Sequence, residues 1–132
     1  MTPQHKIKWA ILGIAYRWND KVLSDNLTEE LIDELYTDEE YEDAISEAKN
    51  ELRCGQWETN IPESEYSRHY ECQSVAAQMP DGSYVGWLYW TGGGKHGEPE
   101  SMDWISDAYN VECIEEEKMV VVRMFSKGDS NE

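Results

Sequence analysis

Apolar positions along this chain follow two periodicities, and the change from one to the other divides the sequence. In the first part, Ile7, Ile11, Ile14, Trp18 and Val22 recur at three- and four-residue steps, which places them on one face of a helix. Thr2 and Pro3 supply an N-cap and a proline at the first helical position, where the missing N–H costs nothing. This helix is expected to end before Ser24-Asp25-Asn26. Thr28 is a second N-cap, and Leu27 with Ile32 has the spacing of a hydrophobic staple. The short helix it opens, Glu29 to about Tyr36, would bury Leu31, Ile32 and Leu35. Thr37-Asp38-Glu39-Glu40 reads as a capping box, and Tyr36 with Tyr41 repeats the staple spacing. A third helix then follows, with Tyr41, Ala44, Ile45, Ala48 and Leu52 as its apolar stripe and Gly55 as the residue that ends it.

Gln56 to Arg68 is polar, contains Pro62 and reads as a crossing loop. Beyond it the pattern is that of strands. Tyr70 to Met79 and Ser83 to Thr91 flank Pro80-Asp81-Gly82, which predicts an antiparallel hairpin around a tight turn. Tyr84, Gly86, Leu88 and Trp90 share one side of the second strand, and Val85, Trp87 and Tyr89 share the other. With both faces apolar, this is the pattern of a central strand, or of one packed on helices and on a partner. Asp107 to Ile114 and Lys118 to Phe125 read as a last hairpin, turning at Glu115-Glu116-Glu117. Helices followed by strands, without alternation, predict an α+β domain. The expected architecture is about three N-terminal helices packed on a C-terminal four-stranded antiparallel sheet. One domain over 1–125 is expected, helical over about 3–54 and sheet over about 70–125, with a flexible tail over 126–132.

Composition supports a folded chain. At 132 residues it fits a single core. A mean hydropathy of −0.76 is strongly polar, but six Trp, eight Tyr and one Phe bury large areas per residue and offset the shortage of aliphatics. Cys54, Cys72 and Cys113 form no short-range pattern. The opening Met1-Thr2-Pro3-Gln4-His5-Lys6 has no secretory character, and Trp9 to Tyr16 is too short to span a bilayer. Free thiols in a cytoplasmic setting are the expectation. A zinc site from Cys54, His69, Cys72 and Cys113 is conceivable, but it lacks a CxxC knuckle and matches no standard spacing. Neither a metal nor a cofactor is expected.

Charge is the most informative feature. Between Asp20 and Glu71 stand seventeen acidic side chains against four basic ones, most of the formal net charge of −17. Such a density repels nucleic acid and anionic membranes, both polyanions, and favours a basic protein. The third helix is expected to carry seven carboxylates from Asp38 to Glu51, over roughly 21 Å. Duplex DNA presents about twelve phosphates over that length. The candidate partner-binding residues are therefore Glu29, Glu30, Asp33, Glu34, Asp38, Glu39, Glu40, Glu42, Asp43, Glu47 and Glu51.

A second candidate is the loop Gly92 to Gly97, where Trp90, Gly93, Lys95, His96 and Glu98 could hold a small molecule or a peptide against flanking aromatics. It lacks phosphate-loop spacing, because His96 follows Lys95. His96 with Glu98 could form an acid–base pair, but no nucleophile elbow, HExxH or kinase set accompanies it. No catalytic residue is assigned. In size and charge the chain resembles the DNA-mimic inhibitors that phages direct against restriction or CRISPR systems, and immunity proteins against nuclease toxins. That resemblance implies an inhibitor or decoy occupying the basic surface of a nucleic-acid-binding or nuclease-type enzyme; the sequence leaves a homodimer open. It implies no direct binding to nucleic acid or membrane.

Overall fold

The computed structural model describes residues 1–63, 70–93, 98–99 and 102–128. Three α-helices come first: α1 (Pro3–Trp18), α2 (Glu29–Tyr36) and α3 (Glu42–Arg53), the last preceded by a single 3-10 turn, Glu39–Tyr41. Four strands follow: β1 (Trp57–Glu58), β2 (Tyr70–Gln78), β3 (Tyr84–Gly92) and β4 (Tyr109–Val111). All neighbours are antiparallel, in the spatial order β1-β2-β3-β4. The chain is thus α+β, with its helices N-terminal to a four-stranded antiparallel sheet.

The caps explain the helix ends. Thr2 accepts the His5 N–H at the start of α1, and Thr28 accepts the Leu31 N–H at the start of α2. Helix α1 closes earlier than its apolar pattern suggests. Asp20 takes a left-handed φ of 54°, Lys21 N–H donates to Tyr16 O, and Asp20 N–H donates to Arg17 O. These paired bonds form a Schellman ending with Asp in the usual glycine place, and Asn19 Nδ2 adds a bond to Ala15 O. Val22 therefore lies outside the helix and is 95% exposed.

The capping box expected at Thr37 does not form. The Thr37 hydroxyl instead donates to Asp33 O and Glu34 O, closing α2. Asp38 becomes the cap of the 3-10 turn by accepting the Glu40 N–H, and α3 begins only at Glu42. At its far end Gly55 adopts φ +73°, and a Cβ there would stand 2.7 Å from Val75 Cβ. Only glycine fits that junction between α3 and the sheet.

The β2–β3 hairpin follows its turn chemistry. Gly82 has φ +88°, Asp81 Oδ1 accepts from Ser83 N and Oγ, and Gln78 pairs with Tyr84. Val75, Ala77, Val85 and Trp87 join Ile7, Ile11, Leu12, Ala15, Ile32, Ile45, Ala48 and Leu52 in one core. Trp87 is its centre: fully buried, 5.0 Å from the Trp104 ring, with Nε1 donating to Arg53 O at 2.7 Å. The opposite face, Ser74, Ala76, Gly86, Leu88 and Trp90, is buried as well.

Two strand expectations are corrected. Trp57–Glu58 lies within the expected crossing loop yet pairs with Ala76 and Val75 as an edge strand. Gln56 N–H to Ala76 O carries the chain into that pairing directly from Gly55. Lys118–Phe125 forms no strand: residues 112–128 carry no regular element. Among the described residues, no helix is long and apolar enough to cross a membrane.

Candidate functional site

The acidic residues divide into two groups by what surrounds them. Helix α1 runs alongside α2, and its His5 and Lys8 face two of the α2 carboxylates. His5 Nδ1 lies 2.8 Å from Glu29 Oε2 and 2.6 Å from Thr2 Oγ1, and His5 Nε2 lies 3.1 Å from Asp33 Oδ2. Lys8 Nζ donates to Asp33 Oδ1 at 3.1 Å and stands over the Tyr36 ring. The Thr2 N–H also donates to Glu29 Oε2.

Hydrogen bonds from His5 and Lys8 hold the Asp33 carboxyl below the ordinary carboxylate range. The Thr2 N–H, aided by His5, does the same for Glu29. These two acids fasten α2 to α1. Asp38 has a third internal task, capping the 3-10 turn.

Glu30, Glu34, Glu39, Glu40, Glu42, Asp43, Glu47 and Glu51 are exposed. None of them enters a salt bridge among the described residues. Asp43, Glu47 and Glu51 recur at four-residue steps, so they form one ridge along α3, about 6 Å apart along its axis. With α3 beginning at Glu42, the Asp38 to Glu51 run is a 3-10 turn followed by a twelve-residue helix, not one continuous rod. The charge is therefore carried by a bent surface.

Of the cations nearest this surface, Arg53 is turned to another use and Lys49 stands beside the acids. Arg53 Nη1 donates to Trp90 O at 2.8 Å, its Nε donates to Asn50 Oδ1, and its guanidinium lies over the Tyr89 ring. Arg53 thus ties the end of α3 to β3. Lys49 lines the groove between α2 and α3 together with Tyr36, Asp38, Glu39, Glu42 and Ser46. The roles of His5 and Lys8 went unassigned from sequence. Their signal was a histidine and a lysine three apart on α1, matched by Glu29 and Asp33 four apart on α2.

The glycine loop is described only at its ends. Lys95 and His96 lie outside the described residues. Gly92 and Gly93 have φ of +87° and +91°, and the Glu98 N–H donates to Tyr70 Oη. Trp90 is buried in the sheet, 4% exposed, and offers no open ring for stacking. Of the imagined zinc ligands, Cys54 and Cys113 are exposed, Cys72 is half-buried and His69 lies outside the described residues. Among the described residues no three His, Cys, Asp or Glu side chains gather as a metal site requires.

The chain matches no protein-family model, and it has no significant match among curated proteins or solved structures.

Proposed function

We propose that this protein is an acidic binding protein that occupies the basic, nucleic-acid-binding surface of another protein, as a decoy or inhibitor. One observation carries the reading: eight exposed carboxylates on α2, the 3-10 turn and α3 stand outside every salt bridge found among the described residues. Like charges held at helical neighbour spacing repel one another, a cost that folding alone gives no reason to accept. A surface of Lys and Arg would relieve it on docking. The partner class is a nucleic-acid-binding or nuclease-type enzyme, because such a protein already presents cations spaced for a polyanion.

The test replaces Glu39, Glu40, Glu42 and Glu47 by Gln and Asp43 by Asn together. None of these side chains belongs to the core, so the fold is expected to persist. Wild-type protein immobilised at low salt should retain basic nucleic-acid-binding proteins from a lysate and release them at high salt. The variant should retain them weakly, with association slowed about ten- to a thousandfold where the charges act by steering. Equal retention by the two proteins would remove the proposal.

A further inference from the structure

Residues 118–127, Lys-Met-Val-Val-Val-Arg-Met-Phe-Ser-Lys, are the one long apolar run of the described chain that is left bare. Met119, Val120, Val121, Val122, Met124 and Phe125 are each more than three-quarters exposed. Exposed apolar surface of this extent marks an interaction site. Val120, Val122 and Met124 would lie on one side of a strand, and Met119, Val121 and Phe125 on the other. A strand apolar on both sides is one meant to be covered on both sides.

The segment follows β4, whose three residues pair with Tyr84–Gly86 of β3 and end the sheet. Beyond that pairing, residues 109–128 make no backbone hydrogen bond among the described residues. Among the described residues nothing pairs with the outer edge of β4. Next to it, on the outer face of the sheet, a groove is lined by Trp57, Ile61, Tyr84 and Ile114 together with Glu58 and Glu112.

The chain has poor means of folding the segment back onto its own β4. Such a hairpin would turn at Glu115-Glu116-Glu117, three adjacent carboxylates without the Gly, Asn, Asp or Pro that a tight turn uses. The hairpin that does form here turns at Pro80-Asp81-Gly82, with Gly82 at φ +88°. Glu115 Oε1 in addition accepts a hydrogen bond from the Tyr84 hydroxyl at 3.4 Å.

Charge identifies the occupant. Residues 118–127 hold three of the eleven basic residues and no acidic one. The rest of the chain holds the other eight and all 28 acidic residues. The segment is cationic and apolar, and the groove beside β4 joins apolar side chains to the carboxylates of Glu58 and Glu112. A second copy of this chain presents the complementary surface.

We infer that residues 118–125 form an exchanged strand that pairs with the β4 edge of a second copy, with each chain completing the other's sheet in a closed two-fold dimer. The exchange pairs the β4 edge of both copies at once, and its two-fold symmetry stops it at two chains. The inference is independent of the proposed function, which concerns the opposite, helical side of the chain.

The test is the mass of the full chain in solution by light scattering, together with amide hydrogen exchange. The expected mass is twice 15.3 kDa, with the amides of residues 118–125 protected. The double variant Val120→Glu, Val122→Glu should run at the single-chain mass with unchanged far-ultraviolet circular dichroism, and residues 118–125 should lose protection. A wild-type monomer overturns the inference, whether its segment is protected on its own β4 or exchanges freely while awaiting another protein. A dimer whose segment is unprotected, or one that survives the double substitution, overturns it as well. Should the variant fail to fold, the wild-type mass and exchange pattern decide alone.

Discussion

Helices α2 and α3 are similarly acidic but use their charge in opposite ways. On α2, Glu29 and Asp33 are met by His5 and Lys8 across a sequence gap of 24 to 28 residues, and they hold the helix to α1. On α3, Asp43, Glu47 and Glu51 enter no salt bridge among the described residues, and the helix is held by Ile45, Ala48 and Leu52 on its other side and by Arg53 at its end. Net charge by itself therefore says little about function here. What matters is which carboxylates remain after the fold has used its share.

The contrast predicts how each helix fails. Truncating the apolar side of α3 should have the largest effect: Ile45→Ala leaves a cavity under the helix, and should cost about 2–5 kcal/mol in urea unfolding. A loss comparable to that of a surface substitution would mean that α3 is held by something other than its stripe. Gly55→Ala comes next. A left-handed φ and a Cβ 2.7 Å from Val75 should together cost about 1–3 kcal/mol, detaching α3 from β2 rather than altering its acidic side. Thr28→Ala removes the cap of α2 and should cost about 1 kcal/mol. Its effect should appear as earlier hydrogen exchange in α2 and leave α3 unchanged.

The smallest effect separates the two acidic groups most cleanly. Asp33 and Glu29 titrate below their unfolded values, so the stability they confer is fully present above about pH 4 and is lost as the pH falls through their depressed range. Asp33→Asn should flatten that part of the acid limb of a thermal-melt series. Glu47→Gln should leave it as it is. If both variants behave alike, the distinction between anchoring and bare carboxylates is lost.

Much of the fold was legible because its signals are local. Thr2, Thr28, Gly55 and Pro80-Asp81-Gly82 each act within a few residues, and all four place their elements correctly. Thr37 was misread because its hydroxyl had two local uses, opening one helix or closing another, and the end of α2 claimed it. The two-residue strand at Trp57 is too short to show a period and depends on the distant β2. Val85 and Val121 show the limit of pattern reading. Each sits in a two-sided apolar run, yet Val85 is fully buried and Val121 is 76% exposed. Alternation says that a segment wants covering, but not which chain provides the cover. The acidic site was legible as charge alone; that His5 and Lys8 consume two of its members requires the packing of α1 on α2.

The central claim is that the bare carboxylates take the place of a nucleic acid on a basic partner. The direct measurement loads immobilised protein with partners captured at low salt and then adds short duplex DNA at constant ionic strength. The account predicts that DNA displaces the captured proteins and that the protein itself gives no gel shift with that duplex. Captured proteins that stay bound while DNA binds them at the same time would contradict it, because the acidic surface would then occupy a different site.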